Sequence, residues 1–402
     1  MKRIDPLVAI FLTVFVDLIG FGIVIPLLPF YAEHFQASPR VVTLLMASYS
    51  LTQFVFAPVW GQLSDRYGRK TVLIVSLAGI SAAYVWMGFA GALWELIAAR
   101  GFAGAMAGNI AAAQAYIADV TGPEKRAQGM GVVGAAFGLG FIVGPALGGL
   151  LAGPDPSHPN FTVPALSSAT LSLVALLLAA LILKESLDPA ARSAHSEIRR
   201  PGRFSSIAEA LVKPELRILL VVFFLVTFVV AIMESTFALW SERSFGWGAA
   251  QNGYIFAYTG VVAAVVQGGL IRRLARQFGE RRLVIQGVLS VGAGLALIPL
   301  VHTLPLLLVA MALIAYGMGV NNPSLSSLIS LAAANDRRGG VLGVSQSAAS
   351  LARIGGPAFA GVIFEAFGRN APYVAGAAIM FAVLALALRM SRRTGSTPSG
   401  IR

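Results

Sequence analysis

Long apolar runs alternate with short polar connectors along this chain: 6–32, 38–62, 69–91, 93–120, 124–151 and 162–184, a polar stretch over 185–213, then 214–241, 249–274, 281–301, 304–331, 338–366 and 370–390. Crossing the ~30 Å hydrocarbon layer of a membrane takes about 20 apolar residues, so each run predicts one spanning helix. The expected fold is an all-α membrane protein of twelve transmembrane helices in two six-helix repeats. Its parts are an N-terminal bundle (1–184), a linker (185–213) and a C-terminal bundle (214–402). The first run continues from Pro6 as a full-length span without a small-residue cleavage site, so it reads as a retained helix and not a removed signal peptide.

Composition agrees with that pattern. Of 402 residues, 57% are hydrophobic and 12% charged, with mean hydropathy +0.77; soluble domains carry about 25% charged residues. The absence of cysteine excludes disulfides, thiolate catalysis and cysteine metal sites. The net charge of +12 changes the picture through its distribution. With both termini and the even-numbered connectors on one side, that side holds 25 of the 30 Lys and Arg residues; Arg40, Arg243 and Arg369 lie opposite, and Arg100 and Arg353 inside spans. The positive-inside rule then places the termini, the linker and residues 61–70 in the cytoplasm of a bacterial-type inner membrane. Anionic lipid headgroups are the natural partner of this charge; scattered over five connectors and two tails, it does not form a nucleic-acid surface.

The halves repeat. A shift of 212 residues lays Arg126 on Arg338, Gly131 on Gly343, Gly144-Pro145 on Gly356-Pro357 and Gly149 on Gly361; a shift of 211 lays Tyr67-Gly68 on Phe278-Gly279. Parallel six-helix repeats are the architecture of an alternating-access carrier with a small-molecule site between the halves near the midplane. A monomer is expected, with no cofactor and no metal.

Away from the span ends, four charged residues fall inside spans: Asp17, Arg100, Glu234 and Arg353. Each is costly if it faces lipid alone, so each should meet a partner or a wet cavity. Asp17 and Glu234 are the candidates for proton exchange. Asp17 with Arg100 and Glu234 with Arg353 are the expected pairs, although periodicity by itself brings neither into contact. On the fourth helix Arg100, Gly104, Ala107, Gly108, Ala111 and Gln114 share a face; Thr227, Val230, Glu234, Phe237 and Ser241 do so on the seventh, and Gln346, Ala349, Ser350, Arg353 and Pro357 on the eleventh. Phe21, Gln114, Phe237, Asn321 and Gln346 are the candidate lining of the substrate cavity. In the fifth run, GFIVGPALGG (140–149) carries Gly140, Gly144, Pro145, Gly148 and Gly149. Proline removes a backbone hydrogen bond and glycines admit a close neighbour, so an interrupted, bent helix forming an outer gate is expected.

Residues 61–70, GQLSDRYGRK, compress Asp65, Arg66, Arg69 and Lys70 with Gly61 and Gly68. So dense a charge cluster marks a membrane–water boundary. It resembles the loop 2–3 signature G-x-L-x-D-R-x-G-R-K of the major facilitator superfamily, and the resemblance extends over the whole chain. It implies a charge relay of Asp65 and Arg69 with the acid ending the fourth helix, Asp119. Asp17-Leu18-Ile19-Gly20-Phe21-Gly22 with Pro26 and Pro29 is similar to the first-helix pattern of drug:proton antiporters. Arg100 with Gly104 resembles their fourth-helix signature, and GFIVGPALGG the fifth-helix pattern G-x-x-x-G-P-x-x-G-G of exporters. AYIADVTGPEKRAQGMG (115–131) looks most like tetracycline efflux carriers. Where those carry an acid in the third helix, a His in the eighth and an Asp in the ninth, this chain has Ala83, Ala263 and Val291, which separates tetracycline itself from the shared mechanism. In the second half Arg276 stands where Asp65 stands in the first, so the relay is one-sided, and its expected role is to stabilise the outward-open state.

The resulting expectation is proton-coupled efflux of a hydrophobic, drug-like compound. The alternative is a carrier of the same fold for a lipid, a glycolipid or a metabolite such as a sugar, for which Asn109, Gln114, Asn321 and Asn322 supply polar groups. Enzyme chemistry is not expected: His34, His158, His195 and His302 lie in connectors or at span ends without metal spacing, and no nucleophile–base pair stands out. Buried opposite charges within a two-fold repeat argue against a continuous channel.

Overall fold

The computed structural model describes residues 5–121, 126–153, 155, 159–187, 213–333 and 338–393. Its elements are α1 (Pro6–Val24), α2 (Leu28–His34), α3 (Pro39–Tyr67), α4 (Arg69–Gly88), α5 (Leu93–Ala105), α6 (Asn109–Val120), α7 (Arg126–Ala152), α8 (Thr162–Ile182), α9 (Pro214–Phe245), α10 (Ala249–Val265), α11 (Ile271–Phe278), α12 (Glu280–Leu297), α13 (Leu304–Ala332), α14 (Arg338–Phe367) and α15 (Ala371–Arg393). A π-helical turn, Val266–Leu270, joins α10 to α11, and a 3₁₀ turn, Ile298–Leu300, closes α12. Among the described residues, twelve helices are long and apolar enough to cross a membrane. With the internal repeat, this is an all-α membrane protein of two six-helix repeats. Most of the linker, 188–212, lies outside the described residues, as does residue 158 with its histidine.

Two spans are broken where the sequence suggested unbroken helices. The first is interrupted at Ile25–Leu27, where Pro26 has no N–H to donate and Pro29 opens α2 near its N-terminus. The fourth is interrupted over Met106–Gly108, between α5 and α6. There the Trp60 indole Nε1 donates to the Ala105 carbonyl at 2.6 Å, satisfying an acceptor that the break leaves open. Gly108 lies under the Trp60 ring, where a Cβ would come within 2.5 Å of Cγ. Conversely, α7 runs through Pro145 as one continuous helix, not interrupted as its glycines and proline suggested. Residues 61–67 are also helical: they are the last turns of α3, and the reversal is made by Gly68 alone at φ 101°.

The chain forms two compact units, Met1–Arg200 with Ser235–Val261, and Pro201–Glu234 with Val262–Arg402. In the first, α1 packs on α7 and α8, α4 on α8, and α3 on α5. Leu18, Leu73, Leu77, Ala113, Tyr116, Ile117, Ala136 and Ala175 make its core. The end of α9 and the start of α10 join it through Ala238 and Ala249, which pack with Ile19, Ile23 and Leu27. In the second unit α12 packs on α13 and α15. Small residues let α12 and α13 close: a Cβ on Gly317 would come within 2.6 Å of the Gly287 carbonyl, and one on Gly294 within 2.7 Å of the Ala310 carbonyl. Such backbone approach supplies the dispersion contacts that associate helices in lipid, where burial of apolar surface gives no advantage.

Candidate functional site

Asp17 sits on α1 and is 4% exposed. Its carboxylate accepts from Asn109 Nδ2 at 2.5 Å and from Ser172 Oγ at 2.9 Å. The break in the fourth span makes this possible, because Asn109 is the first residue of α6. Ser172 arrives from α8, which packs along α1. Both donors are neutral, and among the described residues Asp17 makes no ion pair. The expected Asp17–Arg100 pair therefore does not form. The physical reason is competition: Asn109 and Ser172 occupy the carboxylate, while the Arg100 guanidinium lies over the aromatic rings of Tyr49 (4.5 Å) and Phe21 (5.3 Å). Arg100 is 3% exposed, and its Nε and Nη1 have no hydrogen-bond partner among the described residues. Cation–π contact contributes about 0.5–2 kcal/mol, whereas desolvating an ion costs several kcal/mol, so the rings do not replace a counter-charge.

In the second unit Glu234 of α9 and Arg353 of α14 are both partly buried, and Arg353 is the charge that acts on the Glu234 carboxylate. This acid lies within the electrostatic reach of a cation; Asp17 has two neutral dipoles.

At the end of α3, Arg69 Nη1 donates to Asp65 Oδ1 at 2.6 Å and to Ser64 Oγ at 3.1 Å, and Arg69 Nε donates to Asp119 Oδ2 at 3.1 Å. The arginine is buried, and all three partners belong to the first unit. Glu185, just past α8, accepts from the backbone amides of Arg69 (2.8 Å) and Lys70 (3.2 Å), an N-terminal cap supplied from 115 residues away. Ser186 Oγ donates to the same Asp119 oxygen at 3.0 Å, and Lys70 Nζ to the Ala180 carbonyl at 2.7 Å. A Cβ on Gly68 would run into the Glu185 carboxylate, and positive φ already disfavours any other residue there. Of the six sequence candidates for this cluster, Asp65, Gly68, Arg69 and Asp119 come together. Arg66 is exposed and stacks on Tyr67, and Gly61 has open space around it.

The α7 glycines present two contact faces. Cβ atoms on Gly140 and Gly144 would come within 2.7 Å of Leu18 and of Gly22 Cα on α1, and one on Gly148 would overlap the Ile23 carbonyl. A Cβ on Gly149 would come within 2.9 Å of Ala250 Cα on α10, and one on Gly253 would overlap the Pro145 carbonyl.

The cavity candidates separate. Phe21 is half-buried, packed against Tyr49 and Phe141 with centroids 5.2 and 6.0 Å away. Gln114 and Gln346 are exposed. Phe237 is wholly buried against Trp240 and Phe256 and lines no open wall. Asn321 is wholly buried beside Gly287, its amide without a hydrogen-bond partner. The sequence reading missed Trp60, Ser172, Glu185 and Ser186, and weighed Asn109 only for sugar binding. Ser172 and Glu185 carried no signal, because their roles depend on which helices pack together; the Gly108-Asn109 step was the visible hint of a broken helix.

Twelve crossings built as a repeat, with acids embedded in the spans, define a polytopic membrane carrier. The chain matches the Major Facilitator Superfamily over residues 10–278 and 270–402 and belongs to it. It is 33% identical to the tetracycline resistance protein, class C, of Escherichia coli over 91% of each chain. It is 31% identical to multidrug resistance protein 2 of Bacillus subtilis, over 88% of this chain and 87% of that one. Among solved structures it is similar to the human organic anion transporter MFSD10 (TETRAN), with TM-score 0.72 and 25% identity over 95% of this chain and 98% of that one. The family is one of transporters, so the chain is a multi-pass membrane transporter of a small molecule.

Proposed function

We propose that the protein exports a hydrophobic, drug-like compound across the inner membrane in exchange for protons. Its two bundles, 1–184 and 214–402, joined by 185–213, rock around a midplane site with both termini in the cytoplasm. The observation that carries this reading is Asp17, a buried carboxylate held by two neutral donors and no cation. Such a site can serve both protonation states. When Asp17 takes a proton, the Ser172 hydroxyl can rotate from donor to acceptor, so neither form is left unsatisfied. Proton and substrate then need only favour different states by a few kcal/mol for exchange to be coupled. Glu234 beside Arg353 is the second candidate proton site. The Arg69–Asp65–Asp119 cluster, tethered by Glu185 where the linker begins, serves conformational control. The glycine contacts of α7 with α1 and α10 are the gate. The relatives' names, covering tetracycline, multidrug and organic-anion carriers, support a broad apolar substrate class.

The test is transport in proteoliposomes under an imposed pH gradient, with a panel of tetracyclines, hydrophobic cations and aromatic anions. Asp17→Asn should abolish proton-driven movement while the protein still folds. Export at the wild-type rate by that variant would sink the assignment.

A further inference from the structure

We propose that Arg100, with the rings of Phe21, Tyr49 and Phe141, is the subsite that receives the anionic group of an aromatic substrate. The inference rests on the export reading for the direction of movement, but its binding claim stands on the geometry below.

Arg100 is a buried cation of the first unit with no counter-charge among the described residues. It is 3% exposed, and its Nε and Nη1 have no hydrogen-bond partner among the described residues. Its nearest acid on the sequence argument, Asp17, is already occupied by Asn109 and Ser172. A guanidinium has five N–H donors and no acceptor, so only an anion or a neutral oxygen can satisfy it. Tertiary packing also holds it in place. Gly104, one turn along α5, lets that helix close on the Tyr49 backbone, where a Cβ would overlap the Tyr49 carbonyl. The guanidinium is thereby held 4.5 Å over the Tyr49 ring and 5.3 Å over Phe21.

The surroundings say what accompanies the anionic group. Phe21 contacts Tyr49 at 5.2 Å and Phe141 at 6.0 Å, and Phe141 contacts Phe137 at 6.3 Å. All four rings are half-buried. A flat apolar body with one carboxylate or sulfonate fits a cation bordered by such rings: the rings take the body by stacking and the guanidinium takes the charge. A permanently cationic compound would bring a second positive charge to Arg100 and be rejected.

The experiment is equilibrium dialysis of purified full-length protein in zwitterionic nanodiscs, with empty nanodiscs as baseline. The matched probes are 2-naphthoate, 2-naphthalenemethanol and (2-naphthylmethyl)trimethylammonium. Wild type should bind the anion about tenfold more tightly than the alcohol and the cation least, the size expected of one charge-assisted contact. Arg100→Gln should reduce anion and alcohol to within about twofold of each other, and Arg100→Lys should retain part of the preference. Equal binding of the three probes by wild type, or undiminished preference in Arg100→Gln, overturns the proposal; the wild-type comparison decides even if Arg100→Gln fails to fold. Loss of naphthoate binding in nanodiscs containing anionic lipid also overturns it, in favour of a lipid headgroup. Charge-selective binding without proton-driven transport leaves this subsite standing and removes the export reading; proton-driven export with no charge preference does the reverse.

Discussion

The two halves of this transporter share particular backbone features and differ in charge. After α3 and after α11 the chain reverses through one glycine at positive φ, Gly68 at 101° and Gly279 at 78°, 211 residues apart. In the first half Glu185 then caps the new helix, and Arg69 bridges Asp65 and Asp119. In the second, α12 opens with its own acid, Glu280, which accepts from Ser327 at 2.6 Å, while Arg281 pairs with Glu215 at the surface. The same holds deeper in. Gly144 and Gly356, 212 residues apart, both admit a neighbouring helix backbone: a Cβ on either would come within 2.7 Å of it, at Gly22 Cα and at the Phe228 carbonyl respectively. Yet Asp17 rests on neutral donors, whereas Glu234 feels the charge of Arg353. Geometry is what the repeat had to preserve; charge was free to diverge.

The largest expected effect breaks the symmetry of the acids. Asp17→Asn, nearly isosteric and still hydrogen-bonded, should lower proton-driven transport at least about 100-fold, roughly 2.7 kcal/mol, with little change in Tm. Glu234→Gln should instead lower Tm, because it removes a negative charge that Arg353 feels, and the double variant with Arg353→Gln should recover part of that loss. Equal transport and Tm profiles for the two single variants would erase the distinction. Next come the packing glycines: Gly144→Leu and Gly356→Leu should each destabilise by about 3 kcal/mol, measured by thermal unfolding in detergent, and a large difference between them would break the claim of shared geometry. A smaller effect sharpens the reversal. Gly279→Ala should cost about 1 kcal/mol for its positive φ and Gly68→Ala about 2 kcal/mol, since its methyl also meets Glu185. Smallest, Glu185→Gln should cost about 1 kcal/mol as a weakened cap, while Arg281→Gln, at an exposed ion pair, should change Tm immeasurably.

The fold was legible because membrane crossing is a one-dimensional constraint. Every buried apolar segment must be about 20 residues long and self-satisfied in hydrogen bonds, so hydropathy alone located twelve helices, and the 212-residue offset paired Gly144-Pro145 with Gly356-Pro357. Residues 61–70 were legible as a charged boundary for the same reason. Their division between helix and turn was not, since Gly68 makes the reversal unaided. The site was legible only as a list of expensive residues. A buried charge announces itself by its cost, which singled out Asp17, Arg100, Glu234 and Arg353.

Which groups neutralise those charges was decided by tertiary structure. Asn109 reaches Asp17 because the fourth span breaks at Met106–Gly108, and it breaks where Trp60, from another helix, takes the Ala105 carbonyl. Ser172 and Glu185 contribute from 155 and 116 residues away. The sequence by itself determined the number of crossings, their repeat and the residues that cannot rest in lipid, since each follows from composition within one segment. Pairing follows from helix neighbours and from side chains only a few ångströms long, so it took the packed structure to set Asp17 among neutral donors and leave Arg100 over two rings.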